Sequence, residues 1–193
     1  MGDHKVVLLF TGPSGSGKGT QANLLKKELG NVPIITMGDL FRALAAEPTE
    51  LGQRVKAILS AGELVPIGVW QDVLDDHLAK TDVSHGAILD GVLRSMENAR
   101  AFTNIRAKHK LAEPIVINLE VPHDISVERL LKRGRHDDTK EMIEKRLAWS
   151  YAETRPVVDH FRREGRVIDI NGDDTIEHVH EAIVAALIKR GIL

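Results

Sequence analysis

The chain has no cysteine. That absence excludes disulfides, thiolate catalysis and any zinc site built on cysteine. Charge of neither sign dominates: 26 Lys and Arg face 28 Asp and Glu, a net charge of -2. A chain so balanced offers no broad attraction to nucleic acid or membrane, so any anion site must be built locally. Long apolar runs are missing too. The stretch that precedes the first Gly-rich turn ends at Phe10, too short for a signal peptide or a spanning helix, and the chain reads as cytoplasmic. There is no internal repeat, low-complexity tract or Pro/Gly/Ser linker to divide it. The nine histidines show no metal-ligand spacing, and His136 is read with them as exposed or structural.

What remains is an ordinary globular composition, 42% hydrophobic and 28% charged over 193 residues, suited to a single domain spanning 1–193. Short apolar runs alternate with stretches of helical period, the signature of an α/β chain with a parallel sheet covered on both faces. Strands are expected at Val6 to Phe10, Ile34 to Thr36, Ala87 to Asp90, Ile115 to Val121 and Arg166 to Ile170. Leu51, Val55, Ile58 and Leu59 fall on one helical face, with Gly62 as its stop. Asp138 and Glu141 have capping-box spacing, after which Ile143, Leu147 and Tyr151 share a face. About fifty residues separate the second and third strands, far more than one crossover helix needs, so several helices are expected there. Trp70 and Trp149 are expected in the core or in a pocket wall.

The strongest motif is GPSGSGKG at Gly12 to Gly19, directly after a strand and before a helical pattern. A phosphate chain needs many N–H donors converging on it with no side chains in the way, and Gly12, Gly15, Gly17 and Gly19 permit that approach. Lys18 adds a point charge for the β and γ phosphates, and the following helix presents the positive end of its dipole. The generic phosphate loop has Ser or Thr after the lysine; here Gly19 stands there and Thr20 follows.

The run GPSGSGKGTQA resembles the opening of adenylate kinases and the related uridylate/cytidylate kinases, which read GxPGxGKGTQ. In order, TMGDLFRA resembles STGDxLR, AGELVP resembles GxLVP, LDGVLRS resembles DGFPRT, and RLLKRGRHDD with Arg146 resembles the lid-edge pattern RxxxRGxxxGRxDD with a later Arg. Five ordered motifs are far more specific than one. The resemblance implies a three-layer P-loop NTPase fold: a five-stranded parallel sheet with helices on both faces and an inserted helical segment, 37–64, that binds a nucleoside monophosphate. Its lid, 133–137, would be very short, because Arg133, Gly134 and Arg135 are consecutive.

The implied reaction is Mg²⁺-dependent, in-line transfer from ATP to AMP giving two ADP, in a monomer acting on small nucleotides, with no nucleic-acid or membrane partner. Lys18, Arg94, Arg133, Arg135 and Arg146 would be catalytic. ATP would contact Gly12, Gly15, Ser16, Gly17, Lys18, Gly19, Thr20, Arg129, Arg133 and Gly172. The monophosphate would contact Met37, Gly38, Arg42, Glu63, Leu64, Val65, Gly91, Arg94 and Asn98, with Arg135 and Arg146 bridging both nucleotides. Asp90 would hold Mg²⁺ through water. Guanidinium suits such work because its planar fork binds two phosphate oxygens and stays charged. No general base is needed, since a monophosphate oxygen is already anionic. Asp137 and Asp138 resemble the lid-edge pair, although Asp138 reads equally as the N-cap of the next helix.

Four departures stand out: Leu93 for the family's proline, Met37 for Thr, Ile67 for Asp after VP, and Asn98 for Gln. A cis bond before leucine costs about 2.5 to 4 kcal/mol, so a trans Val92–Leu93 bond is expected. The shorter amide of Asn98 keeps a UMP/CMP kinase open as an alternative. Others are a P-loop kinase for a small acceptor such as shikimate or gluconate, and a nucleotide-binding module that has lost catalysis.

Overall fold

A computed structural model describes residues 6–135 and 138–193. The sequence readings of His136 and Asp137, and of the lid where it includes them, lie outside the described residues. The strands are β1 (Val6–Thr11), β2 (Ile34–Thr36), β3 (Gly86–Asp90), β4 (Ile115–Glu120) and β5 (Val167–Asn171). The helices are α1 (Lys18–Glu28), α2 (Met37–Ala46), α3 (Glu50–Ser60), α4 (Ile67–Ala79), α5 (Met96–Lys108), α6 (His123–Arg133), α7 (Lys140–Trp149), α8 (Arg155–Arg163) and α9 (Ile176–Lys189), with a π-helical turn, Ser150–Thr154, joining α7 to α8.

The strands pair in parallel in the order β2-β3-β1-β4-β5. Alternation along β1 shows how the sheet divides the core. Val7 and Leu9 point to one face, where Trp70 and Leu74 of α4, Phe102 of α5 and Phe161 of α8 cover them. Leu8 and Phe10 point to the other, beneath Leu25 of α1 and Ile183 and Leu187 of α9. All four β1 residues are buried. Each such side chain contributes roughly 1.5–3 kcal/mol on leaving water, which makes the two apolar layers the main support of the sheet. Parallel strands place all their carboxyl ends on one edge, and there β1 ends at Thr11 and β3 at Asp90, with Asp90 registered beside Phe10 and Thr36. That edge carries the site.

The long connection between β2 and β3 holds α2, α3 and α4, as its length implied. Gly62, with φ 66°, follows the end of α3 as expected. Three local expectations change. Leu51 is 40% exposed, because α3 approaches α2 through Gly52, whose added Cβ would stand 2.5 Å from the Glu47 carbonyl oxygen. The inward face is thereby set one residue later. Asp138 does not cap α7; Thr139 does, its hydroxyl accepting from the Met142 N–H at 3.3 Å. Tyr151 leaves the face of Ile143 and Leu147 and is exposed, since the π turn that begins at Ser150 changes the angular step. Trp70 is a core residue whose indole N–H donates to the Val92 carbonyl at 2.9 Å. No described peptide bond is cis, Val92–Leu93 included. Among the described residues no helix is long and apolar enough to cross a membrane.

Candidate active site

The site begins where β1 runs out. Gly12 turns the chain with φ 132°, and a Cβ there would meet the Leu119 carbonyl oxygen of β4 at 2.4 Å. Only glycine fits this crossing. Gly17 then sits at the N-cap of α1 in the left-handed region, φ 93°, with no side chain capping the helix. The first turn of α1 is therefore left without a side-chain cap at the positive end of the helix dipole. Lys18 folds its ammonium back under the loop, donating to the carbonyls of Gly12 at 2.8 Å and Pro13 at 2.7 Å and to the Ser16 hydroxyl at 3.2 Å. Burial pulls its pKa down to about 8, against the raising effect of Asp90 and with Arg94 and Arg133 pushing it lower still. Anionic phosphate beside it would restore the charged form.

Beyond the loop opens a cleft of about 900 Å³. Its walls bring together Lys18, Arg42, Arg94, Arg129, Arg133, Arg135 and Arg146 around Asp90. This is a local excess of positive charge in a chain whose total is -2. The crowding has a physical signature at Arg94: burial lowers its pKa, Asp90 opposes this, and Arg42 and Arg146 lower it further. Cations held together at such a cost form an anion site.

Each guanidinium has its own support. Arg94 donates through Nε to the Gly91 carbonyl at 3.1 Å, and its backbone N–H donates to the Asn98 Oδ1 at 3.3 Å. Its guanidinium lies over the Trp149 ring, 5.2 Å from the centroid. Arg42 pairs with Asp39. Arg129 donates to the Gly172 carbonyl at 2.8 Å. Asp138 clamps the lid edge: Arg133 grips it with Nε at 2.9 Å and Nη2 at 2.8 Å, Arg146 reaches it at 2.6 Å, and the Arg135 N–H donates to it at 3.2 Å. Burial of the Asp138 carboxyl would raise its pKa, but the bonds from Arg133 and Arg146 overcome this and hold it at about 2.

The fold thus brings Gly15, Gly17, Lys18, Gly19, Thr20, Gly38, Arg42, Glu63, Asp90, Arg94, Arg129, Arg133, Arg135 and Arg146 to one cleft. Gly12 and Ser16 form the loop behind it. Met37 is not among them. Its side chain is 1% exposed and belongs to the core, because it opens α2 on the inward face, and Thr36 lines the cleft instead. Asn98 is buried, and its amide oxygen is engaged by the Arg94 N–H and the Ser95 hydroxyl. Leu64, Val65, Gly91 and Gly172 also stand back from the cleft surface; Val65 packs on the core, while the Gly91 and Gly172 carbonyls orient Arg94 and Arg129.

Phe41 and Lys56 line the cleft without a sequence expectation that put them there, while Trp149 takes the pocket wall, one of its two expected places. A signal that favoured the wall was its place three residues after Arg146, on the same side of a helix.

No group of three His, Cys, Asp or Glu side chains able to cage a metal occurs among the described residues. Asp90 offers a carboxylate, 9% exposed, near Gly19, where an added Cβ would stand 3.6 Å from Oδ2. One carboxylate beside a phosphate loop fits Mg²⁺, which keeps most of its waters and takes other ligands from phosphate.

The family profile described as adenylate kinase matches residues 10–166. An adenylate kinase of Corynebacterium urealyticum is 40% identical over 182 residues, covering 94% of this chain and 99% of the relative. Adenylate kinase 1 of Nostoc sp. is 38% identical over 180 residues, 93% of this chain and 97% of the relative. An adenylate kinase of Leptospira biflexa is 37% identical over 184 residues, 93% and 98% of the two chains.

Proposed function

The chain belongs to the adenylate kinase family, and from that membership we infer how its cleft performs the transfer between ATP and AMP. Its activity is that of a phosphotransferase with a phosphate group as acceptor, giving two ADP. The observation that carries the residue assignment is the meeting of one phosphate loop and a ring of arginines in a single cleft.

In our reading the loop amides of 12–17 and the start of α1 hold the ATP phosphates, and Lys18 leaves its carbonyl partners to follow the β and γ oxygens. Arg129 and Arg133 border the donor, and Arg42 and Arg94 hold the AMP phosphate. Arg135 and Arg146 face both. An AMP phosphate oxygen attacks the γ phosphorus, a new P–O bond forms, and the bond to the ADP oxygen breaks. The guanidinium groups neutralise charge as it spreads over the transferring group. Asp90 would hold Mg²⁺ through water, and the ion would supply further neutralisation of phosphate charge. We assign 37–64 as the monophosphate-binding segment and 133–137 as the lid, within one domain of a cytoplasmic monomer.

The departures weigh little against this reading. Asn98 has a structural task at Arg94, so its short amide gives no support to a pyrimidine acceptor. Arg94 lines the cleft with leucine before it, so Leu93 does not favour a module devoid of catalysis.

The test is an assay of ADP formation with ATP, Mg²⁺ and each of AMP, CMP, UMP and GMP. Rapid turnover with AMP is expected; turnover with another acceptor alone, or with none, would overturn the reading. Arg94→Ala should lower kcat/KM for AMP by roughly a hundredfold or more, with ATP binding preserved. An unchanged value removes Arg94 from the acceptor site.

A further inference from the structure

Trp149 stands where two separate parts of the acceptor half meet. It closes α7, is half-buried and lines the cleft. Its indole N–H donates to the Gly62 carbonyl at 3.2 Å, and its ring lies beneath the Arg94 guanidinium. Its neighbours on α7 hold the same turn: the Lys145 ammonium donates to the Ala61 carbonyl at 2.6 Å, and the Met142 methyl fills the place a Cβ on Gly62 would take. One indole therefore touches the turn that leads from α3 to Glu63 and the cation that follows β3.

We infer that Trp149 is a positioning residue for the acceptor, holding the Arg94 fork and the Gly62 turn in register for AMP. The inference rests on the assignment of the AMP phosphate to Arg94. The bond from Nε to Gly91 fixes one edge of the guanidinium, and the ring supports its face. Both Nη groups are without a hydrogen bond among the described residues, so they remain available to two phosphate oxygens. A carboxylate in place of the ring would hold the guanidinium equally well but cancel the charge that AMP requires. An aromatic quadrupole orients the cation and leaves its charge in place.

Steady-state kinetics on Trp149→Leu, Trp149→Phe and Arg94→Ala test this, with AMP and ATP varied separately. Trp149→Leu should raise KM for AMP about tenfold and leave KM for ATP within about twofold, whereas Trp149→Phe keeps the ring and stays within about threefold for AMP. Arg94→Ala with Trp149→Leu should do little more than Arg94→Ala alone, since the tryptophan acts through the arginine. An unchanged KM for AMP in Trp149→Leu, or an equal rise for both nucleotides, overturns the inference. So does a phenylalanine variant as impaired as the leucine one.

If Arg94→Ala itself leaves AMP binding intact, the underlying assignment has failed first. The phenylalanine variant and a fluorescence titration keep the question decidable if the leucine variant does not fold. The emission lost in Trp149→Phe should respond to AMP in the parent protein, and an emission indifferent to AMP refutes the contact.

Discussion

In the proposed reading, the donor and acceptor halves of the cleft meet negative charge by different means. On the donor side the loop is one unbroken stretch of chain, Gly12 to Lys18, and even the lysine finds its partners within that stretch. On the acceptor side the cations come from distant places: Arg42 from α2, Arg94 from the turn after β3 and Arg146 from α7. Their supports are equally scattered, a carboxylate at Asp39, a carbonyl at Gly91, a ring at Trp149 and the Asp138 clamp. The contrast follows from reach. Backbone N–H groups converge on an anion only if successive residues curl around it, whereas a long side chain carries its fork across a gap from any nearby element.

The sharpest way to test this contrast is to damage each half at its centre. Lys18→Met should cut kcat by about a thousandfold or more, roughly 4 kcal/mol of transition-state stabilisation. The fold should tolerate it, because the change removes a buried ammonium and keeps a chain of similar length. Single-turnover rates and urea unfolding would check both halves of that statement.

Asp138 comes next. Its carboxyl titrates at about 2 in the folded chain against an ordinary 3.8. The folded value is depressed, so the clamp's contribution is complete above about pH 4 and is lost as pH falls through about 2, a total of about 2 kcal/mol. Asp138→Asn should be less stable by about that amount near neutrality, and its unfolding free energy should depend less on pH between about 4 and 2. Equal slopes for the two proteins in that range would remove the clamp from the account.

Gly17→Ala should have the smallest effect. An added Cβ meets nothing within 4 Å, so the cost is the left-handed backbone alone, about 1–2 kcal/mol. Thermal unfolding should register that loss, and KM should rise for ATP and not for AMP. A variant that instead weakened AMP would show that the two halves are not built separately.

Much of this was legible in the residues. The β1 run followed by GPSGSGKG declared the loop, the strand edge and the helix that begins at Lys18, because each of those features is local. Five ordered motifs likewise indicated which arginines belong together. Other positions were not legible. Met37 occupies a motif position yet turns into the core, since α2 begins with that side facing inward. Asp138 read equally as a lid-edge residue and as a cap, and only the fold chose: Thr139 took the cap and left Asp138 to Arg133 and Arg146. Trp149 gave no sign of its two partners, 55 and 87 residues away.

The sequence by itself determined the elements whose causes are near neighbours: apolar strands, the glycine turn, the cation that closes it and the length of the segment between β2 and β3. Tertiary structure alone decided which faces point inward and how each guanidinium is held. Those outcomes depend on packing between residues far apart in the chain, where a π turn or one glycine contact can rotate a helix face and change what every side chain on it meets.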